Sequence, residues 1–177
     1  MAGFFLEGKL LLTKELLEQL NAYVKQNLRE DRPKPSSERF ISDAVKRAKS
    51  RYSRRTLEER LARANKETFA EYLLRYMKER DADPVEVYKR AHLDRRFLSK
   101  LRTNLNYKPH KRTLIAIAFG LELSLDEAED LLDRAGYSFS PFDVEDVSAK
   151  FFFEQGVHDL FTVNEALDLH GCKILGG

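Results

Sequence analysis

Apolar residues recur along this chain at intervals of three and four, the spacing that places side chains on one face of an α-helix. Residues 13–30 show this spacing clearly, with Leu16, Leu20 and Val24 on one face. A two-residue alternation, which is typical of strands, is found weakly near the N-terminus and not in the rest of the chain. The pattern therefore predicts an all-α protein.

Capping residues indicate where these helices begin. Thr13 precedes the first helix, and both Thr68 with Glu71 and Ser124 with Glu127 have the spacing of a capping box, in which a hydroxyl and a carboxylate bond free backbone N–H groups. Further starts are predicted at Asp83 with Pro84, at Asp94, at Ser140 with Pro141, and at Thr162 with Glu165. Together these signals predict short helices joined by tight connections.

The most distinctive segment is residues 84–112, PVEVYKRAHLDRRFLSKLRTNLNYKPHKR. It predicts two short helices separated by a turn at His92, then a basic loop that leads into the very apolar residues 111–121. The second helix, residues 94–103, has an apolar side made of Phe97, Leu98 and Leu101. Its opposite side collects basic and hydroxyl side chains, namely Arg96, Ser99, Lys100 and Thr103, with Arg95 and Arg102 at the edges. A short helix with such an outer face is typical of those that enter the DNA major groove.

The order of elements through residues 68–135 resembles that of the λ-repressor-like (XRE-type) helix-turn-helix family. The resemblance is carried by VEVYKRAHLDRRFLSKL, by the loop NLNYKPHKRT and by LIAIAFGLELSLDEAEDLL. It implies a five-helix domain that binds double-stranded DNA, with Arg95, Arg96 and Lys100 where family members contact base edges.

Side-chain chemistry extends this expectation to further contacts. Ser99 and Thr103 are able to hydrogen-bond bases or phosphates from the same face. Basic side chains in and around the following loop are suited to phosphates: Arg102, Lys108, His110, Lys111 and Arg112. The first helix and turn depart from the family pattern, because Pro84 has no N–H for phosphate, Tyr88 stands where a small residue is usual, and His92 stands where glycine is usual.

Three regions are predicted from these signals. Residues 1–66 are predicted to form an N-terminal helical, basic region that serves in oligomerisation or as an arm. Residues 67–137 are predicted to form the helix-turn-helix domain, and residues 138–177 a C-terminal pair of helices that packs on that domain. Within the first region, residues 38–66 are strongly basic and fit a phosphate-binding arm or a solvated connector equally well.

The net charge of +2 conceals a strong asymmetry along the chain. Residues 1–83 carry +5, residues 84–112 carry +7 and residues 113–177 carry −10. The basic excess therefore peaks in the segment that resembles a DNA-binding motif, and a polyanion is attracted there rather than to the acidic end.

Several classes of function are disfavoured. The one cysteine, Cys172, has no partner for an internal disulfide, which fits a reducing cytoplasm, and the N-terminal residues are too charged for a signal peptide or membrane span. The four histidines lack metal-ligand spacing, and no nucleotide-binding or hydrolase motif is present, so neither an enzyme nor a cofactor is expected. The acidic pair Glu145 and Asp146 is expected to be solvated.

The leading hypothesis is a cytoplasmic DNA-binding transcriptional regulator that reads the major groove with residues 94–103 as a homodimer. A first alternative is a helical adaptor that retains the fold and binds another protein through its N-terminal helix or acidic C-terminal region. A second alternative is sequence-indifferent nucleic-acid binding. The basic outer face of residues 94–103 discriminates these hypotheses, because an adaptor does not need it.

Overall fold

A computed structural model describes residues 5–6, 9–10, 12–29 and 68–176, and the basic residues 38–66 lie outside this part of the chain. The described residues form eight helices: α1 Lys14–Asn27, α2 Phe69–Glu79, α3 Pro84–Arg90, α4 Arg96–Thr103, α5 Lys111–Gly120, α6 Leu125–Arg134, α7 Val144–Glu154 and α8 Leu160–Leu169. Two short antiparallel strands, β1 Phe5–Leu6 and β2 Lys9–Leu10, pair Phe5 with Leu10 and Leu6 with Lys9. The prediction of an all-α protein is confirmed apart from this pair of two-residue strands. None of the described helices is long and apolar enough to cross a membrane.

The predicted caps of three helices are present. The Thr13 hydroxyl accepts a hydrogen bond from the backbone N–H of Leu16 at 3.2 Å. Complete capping boxes begin α2 at Thr68 and α6 at Ser124, because in each case a glutamate three residues later accepts from the backbone N–H of the capping residue, at 2.8 and 2.9 Å. Such caps satisfy N–H groups that a helix leaves free at its start.

The segment from α3 to α4 forms two helices and a tight turn, as predicted. Asp83 caps α3 by accepting from the N–H of Val85 at 2.9 Å, with Pro84 at the first helical position. His92 adopts the left-handed conformation with φ 50°, the conformation that glycine adopts most readily. Helix α4 begins at Arg96, two residues later than the predicted start, and the Asp94 carboxylate accepts from its N–H at 2.7 Å.

Helix α5 lies at the centre of the fold, as its apolar sequence predicts. Every residue from 114 to 120 is buried. At its end α5 packs so closely on α3 that a Cβ added to Gly120 would lie 2.7 Å from the carbonyl oxygen of Val87. On another side, Phe119 stacks on Phe153 of α7 with ring centroids 4.0 Å apart and planes inclined by 6°. Helix α7 is thus joined to the same core.

Two predicted helix starts in the C-terminal region are wrong. Helix α7 begins at Val144 rather than at residues 140–141, because Asp143 supplies the cap by accepting from the N–H of Glu145 at 3.0 Å. In α8 the cap is Asp159, which accepts from both the N–H and the hydroxyl of Thr162, at 3.0 and 2.7 Å. Thr162 is therefore a buried residue of the first turn and not the capping residue.

Helix α1 packs on α7, so that segments far apart in the sequence share one core. Leu20 and Val24 are buried. The Tyr23 ring lies 5.3 Å from that of Phe151, and its hydroxyl donates to Glu154 at 2.8 Å. The apolar face of α1, a candidate surface for a partner, is therefore covered within the chain.

The last described residues return to the turn between α3 and α4. Leu175 is buried, and the Asn164 side chain holds its backbone by accepting from its N–H at 2.7 Å and donating to its carbonyl at 2.9 Å. The next residue, Gly176, lies so close to the turn that an added Cβ would be 2.7 Å from the carbonyl oxygen of Ala91 and 2.9 Å from the Cβ of His92. The C-terminal residues thus pack against this turn.

Candidate nucleic-acid interface

Helix α4 has two chemically distinct sides. Phe97, Leu98 and Leu101 are buried against the core, with exposed fractions of 8% or less. The predicted base-contacting residues are all exposed: Arg95, Arg96, Ser99, Lys100 and Thr103. Burial of the first side fixes the helix, and the polar side is left to solvent or a ligand.

The cations of this outer face are not neutralised by the rest of the described chain. Within residues 12–29 and 68–176, no carboxylate pairs with Arg95, Arg96 or Lys100. As far as these described residues are concerned, the hydrogen-bond donors of the three side chains are available for a ligand. Thr103 differs, because its hydroxyl donates to the carbonyl oxygen of Ser99 at 2.8 Å and so offers a ligand an acceptor rather than a donor.

The last turn of α4 and the loop after it supply three of the predicted phosphate-binding residues. Arg102, Lys108 and His110 are all exposed. The Lys108 ammonium lies 4.7 Å from the centroid of the Tyr137 ring, a cation–π contact that positions it without removing its charge. These three side chains remain open to an anion.

Lys111 is placed differently, because its ammonium pairs with the carboxylate of Asp146 in the first turn of α7. The Asp146 side chain is 2% exposed and also accepts from the backbone N–H of Ser140 at 2.6 Å. Burial raises the pKa of the Asp146 carboxyl above its ordinary value, although the hydrogen bonds from Lys111 and Ser140 oppose this shift. The Lys111 charge is therefore balanced by a buried carboxylate of the same chain.

Arg112 is held by the adjacent carboxylate, that of Glu145. Its Nε lies 2.7 and 2.8 Å from the two carboxylate oxygens, and its Nη2 lies 2.7 Å from one of them. The hydrogen bond to Glu145 raises the pKa of the guanidinium above its ordinary value, opposed by partial burial. The Arg112 side chain remains 44% exposed, whereas that of Glu145 is 8% exposed.

These two ion pairs lie along a groove of about 900 Å³ between the first turns of α5 and α7 and the C-terminal residues. Cys172 also lines this groove, where burial raises the pKa of its thiol. A raised pKa leaves less of the thiol ionised at neutral pH, so the residue has no sign of nucleophilic activation.

The expectation that Glu145 and Asp146 are solvated is wrong, since both are buried. Their sequence contains a signal for this burial: they stand between Val144 and Val147, at the start of a helix that continues into three phenylalanines at residues 151–153. Charged residues in such a helix are expected to be paired.

Glu127 is likewise engaged, because it accepts from the Tyr76 hydroxyl at 3.1 Å and pairs with Arg80. It thereby links α2 to α6. Glu127, Glu145 and Asp146 thus each join two helices of the fold.

Comparisons with known proteins give no relative: no protein-family model, no curated protein and no solved structure matches this chain. The function must therefore be inferred from the geometry of the chain itself.

Proposed function

We propose that this chain binds double-stranded DNA by inserting the outer face of α4 into the major groove, and that α2 to α6 form a λ-repressor-like helix-turn-helix domain for this purpose. The observation that carries the proposal is the difference in burial between the two sides of α4. Its apolar side is buried while Arg95, Arg96 and Lys100 project from the other side without carboxylate partners in the described residues. Unpaired cations on a fixed helix are what a phosphate backbone and base edges attract.

The chemistry of base recognition fits these side chains. An arginine or lysine in the major groove donates to O6 and N7 of guanine, and each good bidentate contact contributes roughly 1–3 kcal/mol of discrimination. Arg95, Arg96 and Lys100 supply such donors, and Ser99 beside them is able to donate or accept. Arg102, Lys108 and His110 then provide phosphate contacts that fix the orientation of the helix.

The departures from the family pattern are compatible with this use. His92 adopts φ 50°, so the turn forms without glycine. Pro84 has no N–H to donate, and the N–H of Val85 is bonded to Asp83. The start of α3 therefore offers fewer backbone donors to phosphate than is usual. We expect the loop after α4 to make a larger share of the phosphate contacts instead.

We further propose that the protein acts as a homodimer on paired half-sites. One short helix buries too little surface against DNA for tight specific binding. Two copies bound one DNA turn apart together bury a larger surface. Because the apolar face of α1 is already covered by α7, we expect the dimer contact to lie elsewhere.

The test is a measurement of affinity for random and selected duplexes from about 50 to 200 mM salt. Wild type is compared with Arg96→Ala/Lys100→Ala, and the matched control is Lys25→Ala/Lys78→Ala, which removes two exposed lysines of α1 and α2. We expect the α4 variant to lose preference for the selected site by roughly 30-fold or more, because two base contacts are removed. We expect the control to retain that preference.

Absence of duplex binding by wild type at 50 mM salt would refute the proposal. Equal affinity of wild type for the random and the selected duplex would instead indicate sequence-indifferent recognition.

A second candidate, a helical adaptor, is favoured by two apolar side chains near the C-terminal end of the fold. Leu169 is 62% exposed and Ile174 is 56% exposed, and a partner that covered them would remove this apolar surface from water. An adaptor would bind its partner equally well after substitution of Arg96 and Lys100, so the same variant separates the two functions.

A further inference from the structure

Two consecutive cations at the start of α5 meet two consecutive carboxylates at the start of α7. Lys111 pairs with Asp146, and Arg112 pairs with Glu145. Both cations follow directly on the basic loop after α4, and both would otherwise add to its positive charge. The paired arrangement therefore divides the basic segment into a free part, from α4 through the loop, and a neutralised part at the start of α5.

The carboxylates use the same donors that a phosphate would use. Glu145 engages Nε and Nη2 of Arg112, which are the edge of the guanidinium that binds phosphate with two parallel hydrogen bonds. With an exposed fraction of 8%, Glu145 is held at its position by the packing of α7. A phosphate that approaches Arg112 must therefore displace a carboxylate that is already in place.

We propose that Glu145 and Asp146 form an autoinhibitory contact that withholds Arg112 and Lys111 from the DNA-binding surface. The inference rests on the proposed binding of DNA, and it assigns to the C-terminal helix pair a role in limiting affinity. Any change that separates α7 from α5 would release two cations beside the loop and strengthen binding to polyanions in a salt-dependent way.

The test is the salt dependence of duplex affinity for the full chain carrying Glu145→Gln. The amide retains the size of the side chain but removes the carboxylate that pairs with Arg112, while the nearby charge of Asp143 remains. We expect one additional phosphate contact, which steepens the slope of log K against log salt by about 0.9 and raises the ratio of affinities at 50 and 200 mM salt about 3.5-fold. The matched control is Glu165→Gln, an exposed residue of α8 with the same change in charge, which should leave the slope at its wild-type value.

A double variant, Arg112→Gln/Glu145→Gln, removes both charges of the pair and conserves net charge. We expect it to bind with the wild-type slope, because Arg112 makes no phosphate contact in wild type. A slope about 0.9 shallower would overturn the inference, since Arg112 would then already contact phosphate. If Glu145→Gln alone fails to fold, a shallower slope of this double variant still overturns the inference.

Failure of this inference is distinguishable from failure of the proposed function. Wild type that binds duplex, together with a Glu145→Gln slope equal to the wild-type slope, overturns the autoinhibitory contact alone. Wild type that does not bind duplex at 50 mM salt refutes DNA binding and, with it, the inference.

Discussion

Gly120 is the position at which a single methyl group should disturb the relation between α3 and α5. It is the last residue of α5, and an ideal Cβ placed there lies 2.7 Å from the carbonyl oxygen of Val87 and 3.1 Å from both the backbone N and the Cβ of Ala91. That carbonyl is itself bonded to the N–H of Ala91 at 2.9 Å. Because the obstacle is helical backbone rather than a flexible side chain, α3 as a whole must move to admit alanine.

Two effects of Gly120→Ala oppose each other in sign. Forcing an extra carbon into a packed core costs about 1–3 kcal/mol. Alanine in place of glycine within a helix contributes up to about 1 kcal/mol in favour of the fold, and less at the last residue, where the helix is ending. The overpacking cost is the larger, so we expect the free energy of unfolding to fall by about 1–2 kcal/mol. For a chain of this size each kcal/mol lowers Tm by roughly 2–4 °C.

The assay is urea denaturation of wild type, Gly120→Ala and Gly120→Val, followed by far-UV circular dichroism. We expect the midpoint to fall from glycine to alanine to valine with little change in slope, because the cost grows with the size of the side chain. An alanine variant as stable as wild type, or more stable, would refute the argument, since helix propensity alone predicts that result. Under the proposed function, a fall in DNA affinity should accompany the loss of stability, because α4 follows α3 through a tight turn.

Three further predictions concern stability. Burial lowers the pKa of His158 below its ordinary 6.5, an effect that Glu122 opposes, so the unfolded chain binds a proton more readily than the folded chain. The part of the stability that depends on neutral His158 is fully present above pH 6.5 and is lost as the pH falls below that value. The urea midpoints measured at pH 7.5 and at pH 5.5 should therefore differ less in His158→Gln than in wild type. Ser124→Ala should lower the free energy of unfolding by about 1 kcal/mol through loss of the α6 cap, and a change under 0.3 kcal/mol by urea titration would contradict this. Leu101→Ala, at a fully buried site, should cost about 2–5 kcal/mol by the same measurement, whereas Ser99→Ala on the exposed side should cost much less.

Local sequence signals were enough to predict much of this fold. Thr68 and Ser124 each form a capping box with side chains three residues away, so the whole interaction lies within one helical turn. The two sides of α4 likewise follow from helical spacing over eight residues. The turn at His92 likewise follows from local signals, because it lies between the helix that begins at Pro84 and the Asp94 that precedes α4.

The features that the sequence does not predict depend on contacts between segments that are far apart along the chain. Asp146 meets Lys111 across 35 residues and Glu145 meets Arg112 across 33, and no local pattern indicates which charges will pair. The misplaced start of α8 has a different cause. Thr162 with Glu165 has capping-box spacing, yet Asp159 lies one turn earlier and accepts from both the backbone and the hydroxyl of Thr162. A carboxylate cap outcompeted the hydroxyl cap that the pattern suggested.

The packing of α1 on α7 has a consequence for synthesis of the protein. The hydrogen bond between Tyr23 and Glu154 joins residues 131 positions apart, so α1 leaves the ribosome long before its partner exists. At translation rates of about 5–20 residues per second, this delay is roughly 7–26 s. For that time the buried side of α1, with Leu20 and Val24, is exposed on the nascent chain. Helix α1 is thus expected to dock only after α7 has been made, and until then its exposed apolar side is open to aggregation.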